Sequence, residues 1–427
     1  MNLLLIIFGK VLSKFFRFTN LGNGSTWPGH IALGINKNFI RQMLSNSRLK
    51  VMLIAGTNGK TTTAKLIRTA LEENGKKVFQ NQSGANLLNG IASTLVLQSD
   101  ISGKLRYDFA IFEIDENSLP LILKELHPRY LILLNLFRDQ LDRYGEIDEI
   151  ARKWRKSLES LSKETTLILN ADDPMITYLG NKAKEKALYF GLENKGHGKA
   201  SLEHAADSIY CPACGTKLAY TAIFYSHLGI WHCEDCGIKR STKNLVSDFS
   251  FYPLSGAYNE SNTLAAVSVL RQIGLNDKQI IEGFRKFQPA FGRQEKIIYK
   301  GKNIQIFLSK NPTGFNESMR TIDQLGAKTV LMILNDRVPD GRDVSWIWDI
   351  DFPEFQNILI AGDRAYDMGL RIKYAMKDKQ GFSVCENLKS AFEKGLKQLG
   401  ENETFYILPT YTAMLEVRKI MTGKSIL

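Results

Sequence analysis

The sequence predicts an α/β protein built on parallel sheets, and three observations predict it. A short apolar run at residues 50–54 leads into Gly56-Thr57-Asn58-Gly59-Lys60-Thr61-Thr62 and then into residues 64–71, apolar at helical spacing. Buried strands and helices of similar length alternate along most of the remaining chain, the pattern of parallel strands joined by crossover helices. Two Cys-x-x-Cys pairs interrupt that pattern and mark an insert of a different kind.

A chain of 427 residues is too long for one typical domain. The composition shifts predict a leader at 1–45, a phosphate-binding α/β domain at 46–295 with an insert at about 205–245, and a second α/β domain at 296–427. Hydrophobic content of 44% makes the chain globular. A formal charge of +12 points to acidic partners: nucleotide, nucleic acid, an anionic membrane or a polyanionic substrate. Lysine-rich helices with solvated faces would give the same charge.

In the leader a helix is expected first, then a Gly/Asn/Pro-rich stretch at 21–34, then a short helix. The apolar residues 3–8 lack the basic flank and small-residue cleavage site of a signal peptide. No segment reaches the roughly 18 apolar residues that span a bilayer. Lys10, Lys14 and Arg17 share one helical face, with Phe15, Phe16 and Phe18 among them. A helix packed on the first domain is expected, with an interfacial membrane helix as the alternative.

The loop at 56–62 carries the clearest chemistry. Backbone N–H groups of a Gly-rich turn and of the following helix N-terminus point at phosphate oxygens. Lys60 adds a point charge near the β/γ-phosphates of ATP, and Thr61 offers a hydroxyl to Mg²⁺. The general phosphate loop has four residues between its glycines; here Ile54 holds the first-glycine position and Gly56 comes two later. Residues 77–80 form a second strand. The glycine and small polar residues at 82–86 either close over a ligand or simply connect. Residues 108–116 are an apolar strand ending in Glu113, Asp115 and Glu116. Carboxylates at that end of a parallel strand sit at the ligand edge of the sheet, so Glu113 or Asp115 is a magnesium candidate; a solvated acidic strand end is the alternative. Strands follow at 130–136 and 166–170, the latter running into Ala171-Asp172-Asp173-Pro174.

Cys211, Cys214, Cys233 and Cys236 have the spacing Cys-x₂-Cys-x₁₈-Cys-x₂-Cys of a tetrahedral zinc ribbon. Hairpin strands are expected at 220–225 and 229–232. Four cysteines close a Zn²⁺ site, so His227 and His232 are spare and the metal is structural; four buried thiols are the alternative. Metal rather than disulfides implies a reducing, cytoplasmic setting. Beyond Arg293, strands are expected at 303–308, 329–334, 358–361 and 404–408. Two stretches there are candidates for chemistry, 309–316 and 334–351. The second holds Trp346 and Trp348 among aspartates, either as a partner surface or alternating into a core.

Several motifs carry a resemblance. The shortened Gly-Thr-Asn-Gly-Lys-Thr loop is similar to that of the Mur ligases and folylpolyglutamate synthases. Asn135-x-x-x-Asp-x-Leu-Asp-Arg-Tyr-Gly145, Asn170-Ala-Asp-Asp-Pro174, the stretch 256–266 and Gly292-Arg-Gln-Glu295 resemble successive Mur ligase landmarks, in order. The resemblance implies ATP and Mg²⁺, with Gly56 to Thr62 on the phosphates, Glu113 on magnesium, Asn259 at adenine and Arg293 at ribose or phosphate. Three departures stand out: Gln140 replaces a magnesium-binding His, Tyr258 replaces a His, and Lys153 is the nearest counterpart of the family's carbamylated lysine.

Asn-Pro-x-Gly-x-Asn at 311–316, the run 340–349, Glu113-Ile-Asp-Glu116 and the four cysteines are similar to a glutamine-dependent branch of the family. That resemblance implies amidation of the α-carboxylate of D-glutamate in the stem peptide of lipid II, at the inner face of the plasma membrane. It also implies a heterodimer with a GatD-like class I glutaminase, to whose site Asp349 would add a carboxylate; Asp343 is the runner-up. With four cysteines in the ribbon only Cys385 remains, so the chain is expected to lack glutaminase activity of its own. Two other readings are an amino-acid-adding ligase and a zinc-ribbon nucleic-acid-binding ATPase. The second leaves the Mur landmarks unexplained, and no nucleic acid is expected.

Overall fold

The computed structural model describes residues 2–18, 26–45, 47–82, 84–137, 147–183, 186–193, 206–376 and 381–423. Its elements begin with helices α1 (Asn2–Phe18), α2 (Trp27–Ile35) and α3 (Phe39–Ser45). Then come β1 (Lys50–Ala55), α4 (Lys60–Glu73), β2 (Val78–Gln80), α5 (Leu88–Gln98), β3 (Phe109–Ile114) and α6 (Leu119–Glu125). After β4 (Tyr130–Leu133) come α7 (Ile147–Leu158), β5 (Thr166–Asn170), α8 (Pro174–Lys182) and β6 (Lys186–Phe190). A hairpin, β7 (Ala219–Tyr225) and β8 (Leu228–His232), precedes β9 (Leu245–Val246), α9 (Ala257–Ile273) and α10 (Asp277–Arg285).

Seven of these strands form a parallel sheet in the order β2-β3-β1-β4-β5-β6-β9. Its strands read as unbroken apolar runs because both faces are covered. Leu53, Phe112, Leu131 and Leu167 point into one core, under α5 and α7. Met52, Ile111, Ile132 and Ile168 point into the other, under α4 and α9.

The second sheet is built from β10 (Arg293–Tyr299), β11 (Lys302–Phe307), β12 (Thr329–Ile333), β13 (Asn357–Ala361), β14 (Phe382–Val384) and β15 (Thr404–Pro409), in the order β10-β11-β15-β12-β13-β14. Five strands are parallel and β10 is an antiparallel edge. Helix α11 (Pro312–Gln324), a 3₁₀ turn at Ser345–Asp349 and α12 (Ala365–Ala375) bury one face. Helices α13 (Leu388–Gln398) and α14 (Tyr411–Thr422) bury the other.

Three features differ from the sequence reading. The Gly/Asn/Pro-rich stretch contains helix α2. Pro28 falls in its first turn, where no N–H is needed. Gly29 lies so close to α5 that a Cβ would sit 1.9 Å from the Asn89 carbonyl oxygen. The expected strand at 130–136 pairs only as far as Leu133, because Asn135 and Phe137 turn to bond the phosphate-type loop. Strands β6, β9 and β10 were not foreseen; β10 is half exposed and its pairing carries a bulge between Arg293 and Glu295.

The cysteine insert is bolted to the first sheet at Asp172. Arg240 donates Nε to Asp172 Oδ1 at 2.7 Å and Nη2 to the Leu192 carbonyl at 3.0 Å. Leu192 N donates to Asp172 Oδ2 and Trp231 Nε1 to the Ala171 carbonyl. Among the described residues no helix is long and apolar enough to cross a membrane.

Candidate active site

The loop after β1 is shaped by two glycines in left-handed backbone. Gly56 has φ 142° and Gly59 φ 90°. A Cβ on Gly56 would press within 2.9 Å of Leu134, and one on Gly59 would lie 2.0 Å from Oδ1 of Asn262. The loop is latched to the segment after β4: Thr57 N donates to the Asn135 carbonyl, and Asn58 N donates to Asn135 Oδ1 at 2.9 Å. Phe137 N donates to Thr57 Oγ1 at 3.0 Å. Gly59 caps α4, so the first N–H groups of that helix open onto the loop.

Lys60 folds over the loop, donating to the Gly56 carbonyl and, at 3.3 Å, to that of Thr57. It also pairs with the buried Glu116 at 3.4 Å. The Thr61 hydroxyl donates to Glu113 Oε2 at 2.6 Å. Glu113 Oε1 is buried and has no hydrogen-bond partner among the described residues. Burial pushes the Glu113 carboxyl up, against the Thr61 hydrogen bond and the charges of Lys60 and Arg293. A free carboxylate oxygen beside a threonine hydroxyl is a donor set that suits a hard divalent cation. Asn81 holds Glu113 by both backbone groups, accepting from its N–H and donating to its carbonyl, each at 2.9 Å. Asp115, the alternative candidate, instead accepts from the Asn117 N–H and starts the turn into α6.

A cleft runs from this loop to the second sheet. Asn259, Arg293 and Tyr258 line it together with the loop. Asn259 Nδ2 donates to the Ser255 carbonyl and its Oδ1 faces Asn262 Nδ2 at 3.4 Å. Tyr258 accepts from Gln294 Nε2, and burial pushes its hydroxyl pKa up. Phe137 and Tyr225 form an aromatic wall. The far side is the N-terminal turn of α11, from Thr313 to Ser318. Asn311 Nδ2 reaches across to Asn58 Oδ1 at 3.2 Å. The cleft is therefore lined from both sheets.

Tyr225 belongs to the tip of the cysteine-insert hairpin. At the other end of that hairpin, the Sγ atoms of Cys211, Cys214, Cys233 and Cys236 lie within 4.8 Å of one another. Glycine turns follow each pair, with Gly215 N and Gly237 N donating to the Cys211 and Cys233 carbonyls. Burial pushes the Cys211 thiol up to about 12, while the N–H and hydroxyl of Thr216 pull Cys214 down to about 6. Four sulfurs at this spacing fit a tetrahedral metal. His227 is not among them; it is buried at the hairpin tip, 3.6 Å from Asp173.

On the second sheet, Asp349 ends the 3₁₀ turn, half exposed, with its carbonyl accepting from Asn316 Nδ2 at 3.0 Å. Asp343 lies just before that turn, accepting from Ser345 N, which lowers its pKa. The two tryptophans part company. Trp346 packs on Phe315, whereas Trp348 is exposed beside Tyr374 and Arg371. Lys153 pairs with Glu149 on its own helix. Gln140 and the rest of 138–145 lie outside the described residues.

Two family descriptions match the chain: "Mur ligase middle domain" over residues 54–270 and "MurT ligase C-terminal" over 308–414. The lipid II isoglutaminyl synthase (glutamine-hydrolyzing) subunit MurT of Staphylococcus aureus is 37% identical, over 82% of this chain and 83% of that one. The chain belongs to the MurT family. Its Streptococcus pneumoniae relative is 34% identical and covers 97% of this chain and 96% of its own. Among solved structures, a pseudomurein peptide ligase type C from Methanothermus fervidus aligns with a TM-score of 0.66 at 23% identity, over 91% of this chain and 81% of that one. It shows that the Mur-ligase-like fold is shared.

Sequence reasoning missed Asn81 as the clamp on Glu113, gave Asn135 only as the head of a landmark and not as the latch of the loop, and missed Phe137 and Tyr225 as walls of this MurT-family cleft. An asparagine just past a strand end was the available signal for the first two. Tyr225 gave none, since its role depends on where the insert folds back.

Proposed function

We propose that this chain is the ATP-dependent amide-ligase subunit of a lipid II isoglutaminyl synthase. The reading is carried by one arrangement in a MurT-family chain: Asn58 and Gly59 of the Gly56–Thr61 loop line one cleft with the α11 turn, and Thr61 of the same loop bonds the buried Glu113 carboxylate behind it. The loop N–H groups and Lys60 bind the triphosphate of ATP, and Asn259 and Arg293 hold its nucleoside. Thr61 and Glu113 would hold Mg²⁺, which supplies charge neutralisation on the phosphates when bound.

The α-carboxylate of D-glutamate in the stem peptide attacks the γ-phosphorus, and ADP leaves. Ammonia then attacks the acyl phosphate carbon and inorganic phosphate leaves, giving the amide. Alignment and charge neutralisation supply most of the acceleration. In this reading residues 46–295 bind nucleotide and 296–427 present the acceptor, with 1–45 as a leader. Cys211, Cys214, Cys233 and Cys236 would hold Zn²⁺ in a closed structural site.

Ammonia comes from a GatD-like glutaminase bound as a heterodimer. An exposed stripe on α12, Tyr366, Leu370 and Tyr374, continues to Trp348 beside Asp349. An apolar stripe running to a half-exposed acid is what a partner with an incomplete site would cover. The enzyme would work in the cytoplasm at the inner face of the plasma membrane. Lys60→Ala tests the whole reading: ATP-dependent amidation should fall by at least about a thousandfold, as for loss of a charge that acts on the transition state. Retained turnover would remove the loop from the mechanism.

A further inference from the structure

Helix α1 is held in one orientation yet leaves much of its apolar surface bare. Its inner face is locked: Ile6 is 1% exposed, and a Cβ on Gly9 would come within 2.8 Å of Val96 on α5. Lys10 is tied down by the carbonyls of Leu97 and Ser99. The stripe therefore cannot roll inward. On the outer face Leu4 is 72% exposed, Phe8 53%, Val11 62% and Phe15 56%. Helix α2 lies alongside, bonded at one end through Asn36 to Asn2 and stacked at the other by Trp27 on Phe16. It adds exposed Trp27 and Ile35 at the two ends of the stripe.

The charge that these helices themselves carry has one sign; the nearby acids are Asp100 beside Lys10 and Glu125 beside Arg41, on neighbouring segments. No aspartate or glutamate occurs before Glu72, while the first 45 residues carry Lys10, Lys14, Arg17, Lys37 and Arg41. Lys14 and Lys37 are exposed. A protein partner or second copy would need acidic groups to match these bases, and a second copy of this face has none. An anionic bilayer offers both an apolar boundary for the stripe and negative headgroups for the lysines. Tryptophan at the edge suits the headgroup level.

We propose that the outer face of α1, with Trp27 and Ile35, is a docking surface for an anionic lipid bilayer. It deepens the reading of a lipid-linked substrate by naming the surface that meets the membrane, and rests on that reading only for its use. The test is co-sedimentation of the full chain with vesicles of phosphatidylcholine plus phosphatidylglycerol, against vesicles of phosphatidylcholine alone. Wild type should bind the anionic vesicles more tightly, and less so as salt rises. Phe8→Ser with Val11→Ser should weaken binding by about tenfold or more, since two large apolar side chains no longer leave water. Both positions are exposed, so the unfolding midpoint should stay unchanged.

Lys14→Glu should weaken binding to anionic vesicles alone. No binding by wild type, or equal binding by the double variant, would overturn the assignment. So would a particle mass that halves in the double variant with no vesicle binding, which would assign the face to a second copy. Turnover on a stem peptide lacking the lipid reads the ligase proposal separately and should be the same in all these proteins. Its absence from all of them would count against the ligase reading and leave the vesicle result standing.

Discussion

Gly59 is the residue on which the loop turns, and its requirement is steric twice over. Its φ of 90° disfavours any side chain, and Asn262 fills the space where a Cβ would go. Gly59→Ala should cost about 1–3 kcal/mol of strain and lower nucleotide affinity by about tenfold or more, through displacement of the α4 N-terminus. Calorimetric titration with a non-hydrolysable ATP analogue, beside thermal unfolding, separates the two effects. Glu113→Gln keeps the volume and an acceptor for Thr61 but removes the charge. The magnesium concentration for half-maximal activity should rise by about tenfold or more, with little change in unfolding midpoint; an unchanged magnesium dependence would put the metal elsewhere. The shape of this loop was legible because strand, glycine and helix chemistry act within ten or so residues. The choice between Glu113 and Asp115 was not. It depends on Asn117 taking up Asp115 and on Asn81 clamping Glu113, contacts that only the folded chain makes.

The cysteine hairpin links two ends of the chemistry. Its sulfur cluster is remote in sequence from the loop, yet its tip supplies Tyr225 to the cleft wall, where the hydroxyl bonds Ser261. Chelation of the zinc proposed for this cluster, or Cys211→Ser, should lower the unfolding midpoint and also weaken nucleotide binding several-fold. A midpoint that drops with nucleotide affinity unchanged would show the insert to be only a brace. The Asp172–Arg240 pair that anchors it is buried on both sides. Arg240→Ala should cost about 3–5 kcal/mol, because an unpaired carboxylate is left inside. Burial pushes Asp172 up to about 6. The folded chain thus keeps a proton there that the unfolded chain, with an ordinary carboxyl near 3.8, has released. Stability from this site is highest below about pH 4 and falls as pH rises to about 6. In Arg240→Ala the fall should extend to higher pH, which unfolding midpoints across the range would read. The cysteine spacing announced the insert because metal geometry acts locally. Helix α2 went unread for the opposite reason: Pro28 and Gly29 look like turn residues until α5 is packed against them.

Across the whole molecule, the two sheets meet at the Asn58–Asn311 contact. The alternation of strands and helices made both sheets legible. The antiparallel β10 was not, since only its neighbour β11 explains a strand of mixed polarity at an edge. The proposed ligase role also bears on where ammonia arises. Releasing it from glutamine needs an activated thiolate with a histidine base. Four of the five cysteines are in the sulfur cluster. The fifth, Cys385, is half buried and extends the β13–β14 ladder by donating its N–H to the Ile360 carbonyl. A thiol placed there packs rather than attacks. The chain alone should therefore not hydrolyse glutamine. A partner's thiol and imidazole would still need a carboxylate to hold the tautomer. In the proposed reading Asp349 would supply it: its half-exposed carboxylate lies in reach of the Arg371 charge, while the Asp343 carboxylate accepts from Ser345 N. Asp349→Asn should leave the heterodimer assembled and ATP bound, and cut glutamine-dependent amidation by about a thousandfold or more. Added ammonium salt should restore much of that loss, since it bypasses the glutaminase step; Asp343→Asn should need no rescue. Normal glutamine use by Asp349→Asn, or failure of ammonium to rescue it, would mean that this acid serves the ligase cleft or the interface instead.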